Sequence, residues 1–542
     1  MRILQQRCLW FGGAALVAVV ALALLGISAS GSSRSALGAS GSHSVRPGVK
    51  DAPPGVGVPS QVADSSTPVA AAAHVWVTTA NGGDRLSGPA RVAFSGAAGS
   101  TSRDAAIVVL DPTRRYQTMT GFGASITDAS ASVLYTLPAV QRARVMASLF
   151  SPTGDGLDFL RQPIGASDMV ADGPYTYDDL PAGQTDYTMA HFSIAHDQAR
   201  ILPLLREAER LNPHLTVMTS PWSAPAWMKT SGSLLSGRLI ASPQIYHAYA
   251  LYLLDFIKAY RAQGVAINDV TVQNEPQDRD TGTYPGTDMP SWQEAAVIED
   301  LGPMLSAAHL STRVFAFDDN WSEDAHAYAN TPSDEKADFN DYPGRVLATP
   351  AAQWISGVAF HCYNGDPSAM TAFHDRYPSL KIYQSECSGT AAADPAATFS
   401  SSLKWQSRYL EIGSTGNWSS TVVNWDLALN QAHGPHTGGC GTCTGVVTVG
   451  PGTAVTYNAE YYALGQLSRF VQPGAVRIGT ASAASATGSD GITDVAFRNP
   501  SGSTVLVTDN DNAENRALTV QEDGRRFSYV LPADCLATFV WS

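Results

Sequence analysis

Two glutamates carry the chemistry this sequence offers. Glu275 stands in Gln273-Asn-Glu-Pro276 and Glu386 in Gln384-Ser-Glu-Cys-Ser-Gly389. Two carboxyl groups converging on one bond are what hydrolysis of a glycosidic linkage needs. One protonates the departing oxygen, and the other attacks the anomeric carbon or activates water. Asn274, directly before Glu275, fits the acid/base position, because an amide there can bind a sugar hydroxyl beside the reacting centre. Glu386 is then the nucleophile. One group must be protonated while the other is ionised, so Glu275 is expected to titrate above Glu386. Taken singly, each glutamate could be a strand-end carboxylate paired to a basic group; the pair, with Asn-Glu-Pro, argues for catalysis.

The elements that must position them come from an alternating pattern between Thr118 and Phe470. Short apolar, β-branched runs predict strands at Met119–Phe122, Phe159–Ile164, Leu215–Ser220, Asp269–Gln273, Arg313–Phe317, Val358–His361, Leu380–Gln384 and Ser420–Trp425. Amphipathic stretches predict helices between them, most clearly Ser193–Leu211, Pro243–Gln263, Ser291–Leu310 and Ser401–Ile412. Strands alternating with helices over about 350 residues imply a (β/α)8 barrel. A doubly wound open sheet is the alternative, but Gly121-Phe122-Gly123 does not make the required glycine fingerprint.

After Phe470 the helical pattern stops, and short alternating segments from Val476 to Trp541 predict a β-sandwich. Early strand candidates at His74–Thr78, Arg91–Ser95 and Ala106–Leu110 are expected to join it, because an isolated hairpin is marginal. The domain reading is therefore residues 1–30 as a targeting segment, 31–72 as a disordered linker and 73–117 as N-terminal sandwich strands. The barrel follows at 118–470 and the rest of the sandwich at 471–542.

Catalytic side chains of such a barrel gather at the C-terminal ends of its strands. Those ends are polar and aromatic here: Arg161 to Asp168, Ser220 to Lys229, Asp318-Asp-Asn-Trp321, Phe360 to Asp366 and Asn424-Trp-Asp426. Trp222, Trp227, Trp321 and Trp425 could stack on a sugar ring or serve as core aromatics. Asp168, Asp318 and His361 could bind hydroxyls, with Asp168 favoured for sugar contact, Asp319 and His361 equally suited to support, and Asp318 placed with Arg161 and His361 among the supporting residues. Arg161 is expected to hold Glu386 or a neighbour ionised.

The whole chain has 542 residues, 44% hydrophobic and 15% charged, with a net charge of −14. No basic stripe is present, which argues against nucleic acid as a partner and for a neutral substrate. Arg2 and Arg7 precede an apolar run from Leu9 to Ile27 and small residues at Ser28–Gly31. This predicts a secretory signal peptide, or a retained membrane anchor; either places the bulk of the chain outside the cytoplasm. Removal of Cys8 with the signal leaves Cys362, Cys387, Cys440, Cys443 and Cys535, so at least one thiol should stay free. Cys440 and Cys443 form a C-x-x-C in a Gly/Thr-rich loop without further metal-ligand spacing, and a local disulfide is expected rather than zinc.

At these residues the chain resembles family 30 of the glycoside hydrolases, which contains glucosylceramidases and microbial β-1,6-glucanases. The matching segments are Gly121–Asp128, Arg161–Asp168, Ser220–Lys229, Gln273–Pro276, Asp318-Asp319, Phe360–Tyr363, Ser385–Cys387, Asn424–Leu429 and Tyr461–Ser468, in order. The resemblance implies a barrel with a side β-sandwich, retention of anomeric configuration, and no metal or cofactor. By position, Glu275 matches the acid/base, Glu386 the nucleophile, and Asp168, Trp222, Asn274 and Trp425 the residues that bind the −1 glucose. Tyr284 looks like the tyrosine lining the mouth near the acid/base, and Tyr363 like the one that bonds near the nucleophile. The chain departs from the glucosylceramidase pattern at Trp321 and in the loop His433–Thr444.

The expected substrate is thus a carbohydrate or glycolipid: a β-1,6-glucan or a glucosylceramide-type lipid, with xylan a further option. A non-catalytic sugar-binding protein is the reading from another class, and the presence of both glutamates argues against it. A metal-dependent hydrolase would need clustered histidines at strand ends, where only His361 qualifies.

Overall fold

The computed structural model describes residues 72–96, 105–279, 281–323, 327–482 and 491–542. The expected signal segment and linker lie outside these, save Ala72, which opens the first strand. Among the described residues, eight parallel strands close into a barrel in chain order: Gly121–Ser125, Phe159–Ile164, Thr216–Pro221, Asp269–Thr271, Arg313–Asn320, Ile355–His361, Lys381–Glu386 and Thr421–Asp426. We number them one to eight.

Strand one begins two residues later than the pattern predicts. Met119 is taken up instead in backbone bonds to Gly474 and Ala475, where the barrel meets the sandwich. Strand four stops at Thr271 because the chain turns aside there: the Asn274 N–H bonds Pro221 and the Glu275 N–H bonds Asp318. The expected helix Ser193–Leu211 is broken into a short 3-10 turn, Ala195–Gln198, and a helix, Ile201–Leu211. The break turns Asp197 inward, where its carboxylate accepts the hydroxyls of Tyr177 (2.6 Å) and Tyr260 (2.5 Å). Helices Pro243–Ala262 and Ser291–Ala307 lie close to expectation. The expected helix Ser401–Ile412 starts earlier, at Thr398, and widens to π geometry over Gln406–Ile412.

Inside the barrel, Phe159, Met218, Phe315, Ala359, Tyr383 and Val423 from six strands form a buried plug. Each large side chain so buried contributes about 1.5–3 kcal/mol. Strand one can approach strand two this closely because position 123 is glycine; a Cβ there would stand 1.7 Å from the Phe159 carbonyl oxygen. Below the plug, Arg313 makes two bonds to Asp269, at 2.6 and 2.8 Å. The plug leaves the opposite, C-terminal end of the barrel for polar side chains.

The second layer is a ten-stranded sheet that combines both ends of the described chain. Ala72–Thr79 pairs with Cys535–Trp541, and Ala106–Thr118 lies between Val476–Ser482 and Arg516–Glu522. The N-terminal strands therefore belong to the sandwich, and the barrel is inserted between its two parts. Val75, Leu110, Leu506, Phe527, Phe539 and Trp541 anchor its separate core. The segment after strand eight adds small strands absent from the sequence reading, Ala428–Asn430, Val447–Val449 and Val455–Tyr457. No helix among the described residues is long and apolar enough to cross a membrane.

Candidate active site

One buried carboxylate organises the polar end of the barrel. Asp318, on strand five, accepts bonds at Oδ2 from Arg161 (2.8 Å), Ser220 (2.7 Å) and Thr271 (2.8 Å). At Oδ1 it meets Ser385 (2.7 Å) and His361 Nε2 (3.1 Å). Six barrel strands are thus tied to one side chain. Burial would raise the Asp318 pKa, but Arg161 and His361 outweigh it and hold the group well below the usual carboxylate range. With both oxygens occupied and no exposure, Asp318 is a support and is not available to bind a sugar hydroxyl.

Arg161 and His361 carry that anchor up to the two glutamates. The Arg161 guanidinium bonds Glu386 Oε2 and donates to Asn274 Oδ1 at 2.7 Å. The second Glu386 oxygen accepts the Tyr363 hydroxyl at 2.8 Å. His361 uses Nδ1 to bond Glu275 Oε1 at 3.0 Å. One oxygen of Glu275, one of Glu386 and a His361 nitrogen lie within 4.8 Å of one another. The Glu275 side chain is 17% exposed toward the mouth.

Burial chiefly, with the charge of Glu386 adding to it and His361 opposing, pushes Glu275 up to about 8. Burial alone would lower His361; the surrounding Glu386, Asp318 and Glu275 reverse this and bring it to about 10. The surrounding carboxylates thus favour the charged imidazole, which can donate to Glu275 and Asp318 at once. Asp319 supports the backbone, accepting the Gln277 N–H at 3.1 Å, and burial pushes it up to about 8.

The backbone here is bent into the left-handed region at three residues that are not glycine: Glu275 (φ 43°), Phe317 (φ 77°) and Asp318 (φ 61°). Such conformations cost of order 1–3 kcal/mol each and persist where surrounding contacts dictate them. Here those contacts are the Glu275 N–H to Asp318 carbonyl bond (3.0 Å) and the Phe317 N–H to Glu294 bond (2.9 Å).

The floor beside the glutamates is aromatic. Trp222 and Trp425 stack with centroids 4.7 Å apart, and the Arg161 guanidinium lies 4.9 and 5.6 Å from their rings. Tyr284 packs on this cluster and donates to Asp278 at 2.5 Å. Asp168 is buried there, and burial with the charges of Glu386 and Glu275 pushes it up to about 7. The other two tryptophans serve elsewhere. Trp227 donates to Asp178 and packs on Tyr187, whereas Trp321 is buried in the core with its indole N–H on Gln384.

Cys440 and Cys443 are joined, and their loop closes over Asp168: the Cys440 N–H faces its carboxylate at 3.4 Å, and the Thr437 N–H bonds its carbonyl at 2.8 Å. A second bond, Cys362–Cys387, was not foreseen, and Cys535 is the free, buried thiol. Sequence reasoning also missed Ser220, Thr271 and Ser385 as partners of Asp318. Only their position one layer below the strand ends could have signalled them. Among the described residues, Asp178, Asp186 and His191 form another cluster with metal-ligand spacing, but Asp186 already accepts both the backbone and ring N–H of His191.

Removal of the Arg161 charge tests this arrangement. Arg161→Met would leave Glu386 and Asp318 buried without their cation, so a stability loss of about 3–5 kcal/mol is expected in urea unfolding. Arg161→Lys should recover only part of it, since an ammonium cannot reproduce the planar fork. A methionine variant as stable as the native chain would refute the charge anchor.

Comparison with known proteins gives a family match across both domains. The model of the glycosyl hydrolase family 30 TIM-barrel domain matches residues 119–471, and that of the family 30 β-sandwich domain matches 474–539. An endo-1,6-β-D-glucanase of Aspergillus fumigatus is 32% identical, covering 87% of this chain and 95% of its own length. The lysosomal acid glucosylceramidase of Mus musculus is 27% identical, covering 80% of this chain and 83% of its own. Among solved structures, an endo-β1,6-glucanase superposes with a TM-score of 0.76 at 30% identity, covering 87% of this chain and 99% of that one.

Proposed function

The chain belongs to glycosyl hydrolase family 30, and on that premise we propose that it is a secreted, retaining endo-1,6-β-glucanase acting through Glu386 and Glu275. The observation that supports the retaining mechanism is the closeness of the two carboxylates: one oxygen of each lies within 4.8 Å of the other, and both approach His361 Nδ1, at 3.0 and 3.9 Å. Retaining enzymes hold their carboxyl groups about 5–5.5 Å apart; inverting enzymes need a wider gap to admit water between carboxylate and sugar.

Glu386 attacks the anomeric carbon as Glu275 gives its proton to the departing glycosidic oxygen, and a glycosyl ester on Glu386 results. Water then adds to the anomeric carbon, Glu275 takes its proton, and the Glu386 carboxylate is released. Tyr363 and Arg161 aim and charge-balance the nucleophile. Asn274, fixed at its oxygen by Arg161, turns its NH2 toward incoming hydroxyls, and the Trp222–Trp425 pair with Asp168 forms the −1 glucose site.

Two observations favour a glucan over a glycolipid. The full-length relative with the higher identity is named an endo-1,6-β-D-glucanase. Among the described residues, Tyr363 is the strongly exposed large apolar side chain that touches a glutamate of the site, which gives a ceramide little apolar surface directly beside the glutamates. The purified protein is expected to cleave β-1,6-glucan in preference to glucosylceramide, β-1,3-glucan and xylan, with the β-anomer appearing first by NMR. Initial α-anomer would refute retention, and cleavage of the lipid alone would refute the glucan assignment.

Secretion is supported by the Arg2, Arg7 and Leu9–Ile27 pattern and by two disulfides, which persist in oxidising compartments. The pH profile follows from Glu275. The acid must be protonated, and protonation is lost as pH rises through its pKa, so kcat/KM should fall tenfold per unit above about 8. An alkaline limb below pH 6 would contradict that environment.

A further inference from the structure

Strands six and seven pair in register from Gly357 with Lys381 to Phe360 with Gln384, and then His361 pairs with Glu386. The step leaves Ser385 as the extra residue of a bulge, and the ladder ends at that pair. Among the described residues, no further strand pairing joins these two chain ends beyond it. Yet this is where contacts near 3 Å must be kept between His361 and Glu275, and between Tyr363 and Glu386. The residue that follows on each strand is a cysteine, and Cys362 and Cys387 are joined with their Cα atoms 5.3 Å apart. Both are buried, Cys387 completely. The Cys387 carbonyl also accepts the Trp425 N–H at 2.6 Å, which extends the tie to strand eight and the aromatic floor.

We propose that the Cys362–Cys387 disulfide is a positioning element of the catalytic site: it takes over where the ladder stops and holds His361 and Tyr363 on one strand against Glu386 on the other. Tyr363 is attached directly to Cys362, so the covalent link fixes the base of the side chain that orients the attacking carboxylate. A misplacement of about 1 Å at reacting atoms can cost a hundredfold in rate, which is why a short rigid link at this point acts on catalysis. The same link closes a loop in the unfolded chain and adds stability by itself, so the two effects must be separated. The inference rests on Glu386 being the nucleophile and Glu275 the acid/base.

The test compares the full chain with two double variants, Cys362→Ala/Cys387→Ala and Cys362→Ser/Cys387→Val. Each is assayed on 2,4-dinitrophenyl and 4-methylumbelliferyl β-glucosides below its own melting temperature. The rate is expressed per folded molecule, with the folded fraction taken from circular dichroism. The positioning role predicts a kcat lower by about tenfold or more on both substrates, with KM changed less than threefold. The loss persists with dinitrophenolate because the nucleophile, not the proton donor, is misaligned. A kcat per folded molecule within twofold of the native chain, with only the melting temperature lowered, would make the bond a stability staple and overturn the proposal. Failure of both variants to fold would also reject it, in favour of a role in folding. A native chain inactive on β-1,6-glucan as well as on the aryl β-glucosides rejects the proposed function itself; an active native chain with equally active variants rejects only the positioning role.

Discussion

Glu386→Gln is expected to lower kcat on an aryl β-glucoside by about ten-thousandfold or more while leaving the fold intact, a loss of about 5.5 kcal/mol of transition-state stabilisation. An amide oxygen is a poor nucleophile and cannot form the glycosyl ester on which the double displacement depends. The surroundings explain why the effect should be confined to chemistry. Glutamine can keep its carbonyl oxygen toward Arg161 and its NH2 toward the Tyr363 hydroxyl, so both neighbours of the side chain retain a partner. Arg161 also keeps Asp318 and Asn274. Substrate affinity should therefore change little and unfolding should stay near native. Measurement of kcat alongside urea denaturation decides it; a variant retaining a few per cent of native turnover would sink the assignment of Glu386.

Glu275→Ala should behave differently, and the difference is diagnostic. Removal of a proton donor costs about a hundredfold to ten-thousandfold where the leaving group needs protonation, as it does in a glucan. With 2,4-dinitrophenolate no proton is needed, so glycosylation should stay fast and hydrolysis of the glycosyl-enzyme, now without a base, should become limiting. The alanine leaves room beside His361 Nδ1. Added azide should enter there, restore turnover, and yield the β-glycosyl azide that a retaining sequence requires. The alkaline limb near pH 8 should vanish with the residue that titrates there. Equal losses on the glucan and the dinitrophenyl substrate, without rescue by azide, would show that Glu275 is not the acid/base.

These expectations mix what could be read along the chain with what could not. Period-two runs placed strand seven at Leu380–Gln384, and the structure runs it through Glu386, so the nucleophile candidate was legible as a strand-end residue. Glu275 was legible in the same way, but the turn that presents it was not. That turn needs the Asp318 carbonyl, which arrives from the next strand. The long helix expected over Ser193–Leu211 fails because Asp197 must face two tyrosine hydroxyls. Those tertiary partners override a periodicity that is locally sound.

Local pattern left four tryptophans equivalent, and only the family resemblance singled out Trp222 and Trp425. Local pattern was enough for the alternation of eight strands and helices, the flanking sandwich segments, and two candidate glutamates with Asn274 at strand ends. These are properties of residue type and spacing within about ten positions, or of the rule that barrel chemistry sits at strand ends. Asp318 could be read only as a hydroxyl binder or a support beside Arg161 and His361, whereas closure of the barrel makes it the anchor for Arg161, Ser220, Thr271, His361 and Ser385. Counting cysteines required an unpaired thiol, but only the register of strands six and seven brings Cys362 to Cys387 and leaves Cys535 alone. Pairing and charge depend on distances between residues dozens to hundreds of positions apart. The polypeptide acquires those distances only when its first and last barrel strands meet.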